Sequence, residues 1–484
     1  MRTFVIPCCW LALALTGIAP GLASAQVIHL KNGDVICADQ IKEGENRVQY
    51  SIGDDTYTIP KVLIQSIDVQ SVDVQSTDQA RPRQTGVMLG ASELPAYTPS
   101  TQAAGEDQLL DRIIRDGQVN RDALSSIESR GNAAETAVAF YIAGRQEFQG
   151  GKYDQARRDF EAALHHDPQN PSILNYYAAL LVKTGDAQEA VSHAQRAAGL
   201  APDSADALAV LGYAQYAANR PRDAVQSWKR SLALRPDASI QQLLARAERE
   251  AAAEGNYSER ETGHFVLRYE GTQSSETFRR QILATLESEY EELAREFGVE
   301  PRSSIQVVLY TNQAFFDVTQ APSWTGALND GKLRIPLQGL GSVTPDLARV
   351  LKHELAHSFV NQVSMGRCPH WLNEGIAQAL EPKSLGPRGP RLAQLFKLEQ
   401  EIPLNALEGG FSSFSALEAA LAYDESLATV EYMWRGYGMS DILRILERLG
   451  RGDSVEAALR STIHCDYRQL QDEVGAALLR QFGN

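Results

Sequence analysis

Three consecutive segments of the sequence, which begin at Ala137, Pro171 and Ala205, repeat with a period of 34 residues. The shared register aligns Gly144, Ala178 and Gly212; Gly151, Gly185 and Asn219; Ala156, Ala190 and Ala224; Phe160, Ala194 and Trp228; and Pro168, Pro202 and Pro236. A single unit of this length cannot bury its apolar face alone, so repeated units stack and share a continuous core. The chain must therefore contain an extended array beside its other domains.

The period and the small residues at its aligned positions resemble the tetratricopeptide repeat. The resemblance implies two closely packed helices per unit, in repeats 137–170, 171–204 and 205–238 of an all-α solenoid that covers residues 106–258. The segment Ile240 to Glu254 is predicted to be the polar-faced helix that caps the array. The resemblance also implies that the concave groove of the solenoid binds an extended peptide or a partner protein. The alternative is a spacer that holds the next domain.

A second constraint is the segment His353-Glu354-Leu355-Ala356-His357, which follows the helix-start signal Thr344-Pro345. Residues four apart share one face of a helix, so His353 and His357 can bind one metal ion while Glu354 reaches a water on that ion. A His-x-x-x-His pair alone is also common as two core or surface histidines. The glutamate directly after the first histidine, inside a capped helix, favours a metal site.

The third protein ligand must come from elsewhere, because a catalytic zinc ion usually keeps three protein ligands and one open position. The metzincin pattern is excluded, since Val360 and Val363 stand where it needs glycine and histidine. Glu374 begins a second apolar-periodic segment after a loop and is the predicted ligand. His370 and Cys368 in that loop are the rival ligands.

These two segments together resemble the gluzincin branch of zinc metallopeptidases, and in particular the bacterial peptidase-MA-like domains. The residues that show the resemblance are His353-Glu354-x-x-His357 and Trp371-Leu372-Asn373-Glu374-Gly375-Ile376-Ala377, with softer landmarks at Phe265 to Tyr269, Ile305 to Tyr310 and Ala422 to Ser426. The resemblance implies that residues 259–484 form an α+β zincin-like metallopeptidase domain with a helical C-terminal part. The hairpin 326–336 stops at Pro336, which suits an edge strand, Leu333 to Ile335. The resemblance implies that such an edge strand flanks the metal cleft, so that a peptide substrate could pair its backbone with it.

The expected chemistry is amide hydrolysis with Zn²⁺ held by His353, His357 and Glu374. Zinc lowers the pKa of a bound water toward ~7, and Glu354 acts as the general base. By resemblance, Tyr423 is the candidate to hydrogen-bond the oxyanion, although core packing explains a tyrosine there equally well. Gln378 stands where thermolysin-like enzymes place an acid, so a carboxylate behind a histidine ligand is not expected at that position.

The N-terminal residues 1–25 are predicted to be a signal peptide, with Arg2, an apolar run and the small residues Ala23-Ser24-Ala25. The alternative is an anchoring helix, but the run is short for a membrane span and is broken by Gly17 and Pro20. The sequence therefore predicts a periplasmic or secreted protein with no integral membrane span after cleavage.

Residues 26–70 are predicted to form a small SH3-like β-barrel module, and residues 71–105 a flexible linker rich in Ser, Thr, Gln, Ala and Pro. The five predicted strands are Val27 to Leu30, Asp34 to Ile36, Arg47 to Tyr50, Thr56 to Ile59 and Val62 to Ile64. The turn residues Asn32-Gly33 join the first two strands. No role beyond docking is predicted for this module.

The formal net charge of −15 over 484 residues argues against nucleic acid or anionic lipid as the main partner. After removal of the signal, Cys37, Cys368 and Cys465 remain, which allows at most one disulfide. The expected function is an exported zinc metallopeptidase whose repeats recruit a protein substrate or partner. The alternative is a non-catalytic envelope scaffold or assembly factor that uses the repeats for protein binding.

Overall fold

A computed structural model describes residues 26–69 and 106–483, except for 54, 116, 322–324, 338 and 382. The predicted signal peptide, 1–25, and the predicted linker, 71–105, lie outside the described residues.

The N-terminal module contains six strands in two three-stranded antiparallel sheets, with orders β2-β1-β6 and β3-β4-β5. The strands are β1 (Gln26–Leu30), β2 (Val35–Ala38), β3 (Gln40–Glu43), β4 (Arg47–Ile52), β5 (Asp55–Pro60) and β6 (Ile64–Val69). Inward-facing side chains such as Ile28, Leu30 and Val48 are almost completely buried. A strand at 40–43 was not predicted, and the last strand starts later than predicted because Lys61–Leu63 form a 3-10 turn.

The repeat region is helical, with a short hairpin between its first two helices. Its elements are α1 (Glu106–Ile113), β7 (Ile114–Arg115), β8 (Gln118–Val119), α2 (Arg121–Glu128), α3 (Ala133–Gln149), α4 (Tyr153–His166), α5 (Pro171–Thr184), α6 (Ala187–Leu200), α7 (Ala205–Ala217), α8 (Pro221–Leu234) and α9 (Ala238–Ala253). The pairs α3–α4, α5–α6 and α7–α8 correspond to the predicted repeats. A Cβ atom at Gly144 would lie 2.8 Å from the ring of Phe160, which explains the small residue at this aligned position.

The C-terminal region combines a five-stranded sheet with nine helices among its described residues. Its elements are β9 (Ser258–Glu261), β10 (Phe265–Tyr269), α10 (Glu276–Phe297), β11 (Ile305–Tyr310), α11 (Asn312–Thr319), β12 (Leu328–Asn329), β13 (Leu333–Pro336), α12 (Pro345–Ser364), α13 (His370–Leu380), α14 (Gly389–Lys397), α15 (Ala416–Gly436), α16 (Met439–Gly450), α17 (Val455–Ile463) and α18 (Tyr467–Phe482). The sheet order is β12-β13-β11-β10-β9, with parallel inner strands and an antiparallel strand at each edge. The predicted α+β region with a helical end is thus present.

The prediction that Leu333 to Ile335 form the edge of the sheet is wrong. Strand β13 lies between β11 and β12, and all four of its residues are buried. The edge strand is β12, in which Leu328 pairs with Arg334 and Asn329 pairs with Leu333. The proline that ends β13 suggested that β13 is the edge strand. The true edge strand, β12, has two residues, which are too few to show the alternation of a strand.

The hydrophobic cores divide the molecule differently from the predicted domains. The repeats have a core of their own, which includes Phe160 and Trp228. The N-terminal module shares one continuous core with the C-terminal region, in which Ile28 and Leu30 belong to the same cluster as Leu407. The two regions are therefore packed as one body, although the repeats separate them in the sequence.

Helix α9 closes the repeats and also pairs with the C-terminal sheet through buried charges. The fully buried carboxylate of Glu250 pairs with Lys332 Nζ at 2.8 Å and with the guanidinium of Arg334. Arg334 Nε in turn lies 2.9 Å from Asp330 Oδ2, which also pairs with Arg246 of α9. We call Arg246, Glu250, Asp330, Lys332 and Arg334 the interface cluster.

Two predictions about covalent and membrane features can be compared with the described residues. Cys37, Cys368 and Cys465 are free thiols, so no disulfide joins them. In the part of the chain that the structure describes, none of the helices has the length and apolar character needed to cross a bilayer.

Candidate metal centre

Helix α12 presents the two histidines one turn apart. The hydroxyl oxygen of Thr344 accepts a hydrogen bond from the Leu347 N–H at 3.2 Å, and Pro345 occupies the first turn, where its missing N–H is harmless. Leu351 and Leu355 are completely buried and fix the rotation of the helix against the core. The rings of His353 and His357 therefore emerge side by side, with their centroids 4.9 Å apart.

Helix α13 supplies the carboxylate. Glu374 is buried on this helix, and the next residue, Gly375, packs directly against α15. A Cβ atom at Gly375 would lie 2.4 Å from the backbone oxygen of Ser426, so a larger residue would push the two helices apart. This close approach fixes the depth of Glu374 in the site.

One potential ligand atom from each of His353, His357 and Glu374 lies within 4.8 Å of the other two. Nε2 of His353 is 3.4 Å from Glu374 Oε2, and Nε2 of His357 is 3.8 Å from Glu374 Oε1. Glu374 Oε2 is buried and accepts no hydrogen bond within the described chain. Two imidazoles and one carboxylate are a donor set that suits a catalytic zinc ion, so these residues fit the metal that the sequence predicts.

A second layer of side chains orients the histidines. His357 Nδ1 lies 2.8 Å from Asn373 Oδ1, and this contact orients the ring with Nε2 toward Glu374. His353 Nδ1 faces Glu381 Oε1 at 3.6 Å. The carboxylate that was not expected at Gln378 thus comes from Glu381, which directly follows the last residue of α13. Its spacing of seven residues from Glu374, about two helical turns, was the signal that sequence reasoning missed.

The charges of the site depend on one another. Burial opposes the charged form of Glu374, but the imidazoles of His357 and His353 hold the pKa of this carboxyl well below its usual range. Burial likewise opposes a charged His353, yet the carboxylates of Glu374 and Glu381 outweigh it and raise its pKa to about 10. Without a metal ion, His353 is therefore an imidazolium paired with a carboxylate.

Zinc uptake near pH 8 is expected to release about one proton per ion, because a ligand imidazole must be neutral. The proton comes from His353, whose pKa of about 10 lies above this pH. The apparent zinc affinity should therefore increase about tenfold per pH unit below that pKa. Calorimetric titration in two buffers with different ionisation enthalpies measures the proton count. Equal heats in both buffers would show that His353 is already neutral in the metal-free protein.

Glu354 is half-buried beside the two histidines, and burial raises the pKa of its carboxyl. Its backbone oxygen accepts a hydrogen bond from Asn329 Nδ2 at 2.6 Å, and the same amide donates to Ser358 Oγ at 2.7 Å. Asn329 therefore ties the edge strand β12 to α12 at the site. No local sequence pattern indicated this residue.

Tyr423 lies on α15, near the site. Burial raises the pKa of its hydroxyl well above the ordinary value, and the negative charges of Glu374 and Glu354 add to this effect. The ring of Phe411 contacts the rings of Tyr423 and His370, with centroid distances of 5.3 and 4.5 Å. His370 Nε2 lies 3.5 Å from Glu374 Oε1. The rival ligands His370 and Cys368 are outside the group of mutually close ligand atoms found in the described residues.

Comparison with known families finds matches in two regions of the chain. Residues 286–479 match the family model of the Peptidase MA superfamily, and residues 142–205 and 181–247 match two tetratricopeptide repeat models. The chain thus carries a Peptidase MA superfamily domain preceded by tetratricopeptide repeats.

Among solved structures, the first TPR domain of the human RPAP3 protein, determined by NMR, is similar to part of the chain. The identity is 24%, the match covers 25% of this chain and 95% of that one, and the TM-score is 0.24. No curated protein matches the chain.

Proposed function

We propose that this protein is a zinc-dependent metallopeptidase that hydrolyses peptide bonds with Glu354 as its general base. The observation that supports this most directly is the convergence of His353, His357 and Glu374 within 4.8 Å, with Glu354 on the same helix as both histidines. The match to the Peptidase MA superfamily agrees with a peptidase. A zinc ion bound there would lower the pKa of a water molecule and polarise the scissile carbonyl.

The chain's own residues would perform the proton transfers. The carboxylate of Glu354 takes a proton from the attacking water and passes it to the leaving amine. The hydroxyl of Tyr423 remains protonated, because burial and the nearby carboxylates raise its pKa, so it can donate a hydrogen bond to the developing oxyanion. Asn373 contacts His357 Nδ1 and the carboxylate of Glu381 faces His353 Nδ1, so these two residues would help to orient the imidazoles toward the metal.

The repeats and the predicted signal peptide suggest where this chemistry takes place. Tetratricopeptide repeats support protein–protein interaction, so the solenoid would recruit a protein substrate or partner to the catalytic domain. The N-terminal sequence supports export to the periplasm or secretion.

The proposal is tested by purifying residues 26–484, quantifying zinc and incubating the protein with an unfolded protein and a peptide library. We expect about one zinc ion per chain, cleavage that stops on chelation, and recovery when zinc is restored. Glu374→Ala should lose both zinc and cleavage, because a ligand is removed. Glu447→Ala, which deletes an exposed carboxylate on α16, is the matched control.

Two results would contradict this function. A parent protein without bound zinc and without cleavage has no metal-dependent activity. Bound zinc without any cleavage would favour the scaffold or assembly-factor alternative.

A further inference from the structure

The N-terminal module forms hydrogen bonds with one loop of the C-terminal region. This loop, residues 401–411, precedes α15, and we call it the support loop. Its backbone and side chains bond to the module at four places: Gly409 N to Asp34 Oδ2 at 2.5 Å, Asn32 Nδ2 to the Ala406 oxygen at 3.3 Å, Tyr50 Oη to Asn405 Oδ1 at 2.8 Å, and Arg47 Nη2 to the Glu401 oxygen at 2.9 Å.

The contact is closely packed. Asn32 is 5% exposed at the tip of the first hairpin, and Leu404 and Leu407 of the support loop are 2% and 0% exposed. A Cβ atom at Gly409 would lie 2.5 Å from a carboxylate oxygen of Asp34, so only glycine allows this approach. The Asp34 side chain also accepts from Asn32 Nδ2 at 3.0 Å, which fixes its orientation toward the loop.

The support loop in turn caps the helix that carries Glu374. The first N–H groups of a helix need partners outside it, and the N-cap residue of α13, Pro369, provides no side-chain hydrogen bond. Instead, the His370 N–H donates to the Glu408 oxygen at 2.8 Å, and the Trp371 N–H donates to the Leu407 oxygen at 3.1 Å. The support loop therefore replaces a side-chain cap, within one turn of Asn373 and Glu374.

We propose that Asp34 is a positioning residue of the metal centre: the N-terminal module fixes the support loop and, through it, the start of the helix that presents Glu374 and Asn373. The module would then be a part of the catalytic scaffold, and not an independent docking domain. The shared hydrophobic core of the module and the C-terminal region agrees with this role. The inference deepens the proposed function and rests on it.

The test replaces Asp34 with alanine in the full chain and measures zinc affinity against a competing chelator. We expect zinc affinity about 10-fold weaker, the lower end of what loss of an outer positioning residue costs. Hydrogen exchange should increase at the amides of His370 and Trp371. Asp34→Asn keeps an acceptor oxygen for the Gly409 N–H and should restore most of the affinity.

Asp68→Ala is the matched control, because this carboxylate belongs to the same module but pairs with His29 at 3.1 Å on its exposed side. It should leave both zinc affinity and exchange at α13 unchanged. If Asp34→Ala does not fold, Tyr50→Phe removes only the hydroxyl that bonds to Asn405 and should give a smaller change in the same direction.

Parental zinc affinity and parental exchange in the Asp34→Ala or Tyr50→Phe variant would overturn the inference. Failure of the proposed function is distinguishable, since the parent itself would then bind no zinc or would bind zinc without cleaving any substrate. In that case the exchange of His370 and Trp371 still decides whether the module supports α13.

Discussion

Replacing Glu354 with glutamine is expected to leave zinc bound and to reduce the rate of peptide cleavage by about 100-fold or more, the usual size of a general-base contribution. Glutamine has nearly the same shape but cannot accept a proton from water. The ligand atoms of His353, His357 and Glu374 are not changed by the substitution. The hydrogen bond from Asn329 is also retained, because it goes to the backbone oxygen of residue 354.

The measurement combines zinc content with the cleavage rate of one peptide identified from the library. Gln362→Ala is a suitable control, since this side chain lies on the same helix and accepts a hydrogen bond from the Arg302 N–H, at 3.3 Å, outside the site. A Glu354→Gln enzyme that retains zinc and the parental rate would falsify the assignment of Glu354 as the base. Loss of zinc in this variant would mean that Glu354 acts on the metal site itself.

The residues of the metal centre could be predicted from the sequence because their spacing is local. His353, Glu354 and His357 lie within five residues on one capped helix, and Glu374 lies on the next helix. Helix periodicity and capping residues are properties of short windows, so the sequence alone is sufficient to place them. The structure brings the three predicted ligands together, and their metal binding remains a prediction until zinc is measured.

The supporting residues could not be predicted, because their contacts are distant in sequence or lack a pattern. Asp34 and Gly409 are 375 residues apart, and no local signal connects them. Strand β3 has mostly exposed side chains, so the alternation that marks a half-buried strand is absent. Asn329 belongs to a strand of two residues, which is too short for any periodicity.

Replacing Glu250 with alanine is expected to lower the free energy of unfolding by about 3–5 kcal/mol, because it removes the carboxylate that pairs with the buried Lys332 and is one of the carboxylates that pair with Arg334. Glu250 is completely buried in the interface cluster, where Lys332 and Arg334 both pair with its carboxylate. Burial alone would raise the pKa of Glu250, but Arg334 and Lys332 hold it well below its ordinary value of 4.5. The folded state therefore favours the ionised carboxylate.

The sign of the pH dependence follows from this lowered pKa. The stabilisation by Glu250 is fully present above pH 4.5, the ordinary value, and is lost as the pH falls toward the pKa of the folded state. Denaturant unfolding of the parent should give a lower free energy of unfolding at pH 4 than at pH 7. Glu250 should account for part of this difference. The Glu250→Ala variant should lack that contribution.

Glu248→Ala provides the control, because this residue lies on the same helix and its exposed carboxylate pairs with Lys229 at 2.7 Å. An exposed pair contributes about 1 kcal/mol or less, so the two variants should differ clearly. A Glu250→Ala protein as stable as the control would mean that Lys332 and Arg334 find other partners or water. The expected loss would instead show that the buried charges between α9 and the C-terminal sheet contribute to the stability of the protein. Asp330 of this cluster directly follows Asn329, which bonds to α12, so the same arrangement connects the repeats to the candidate metal centre.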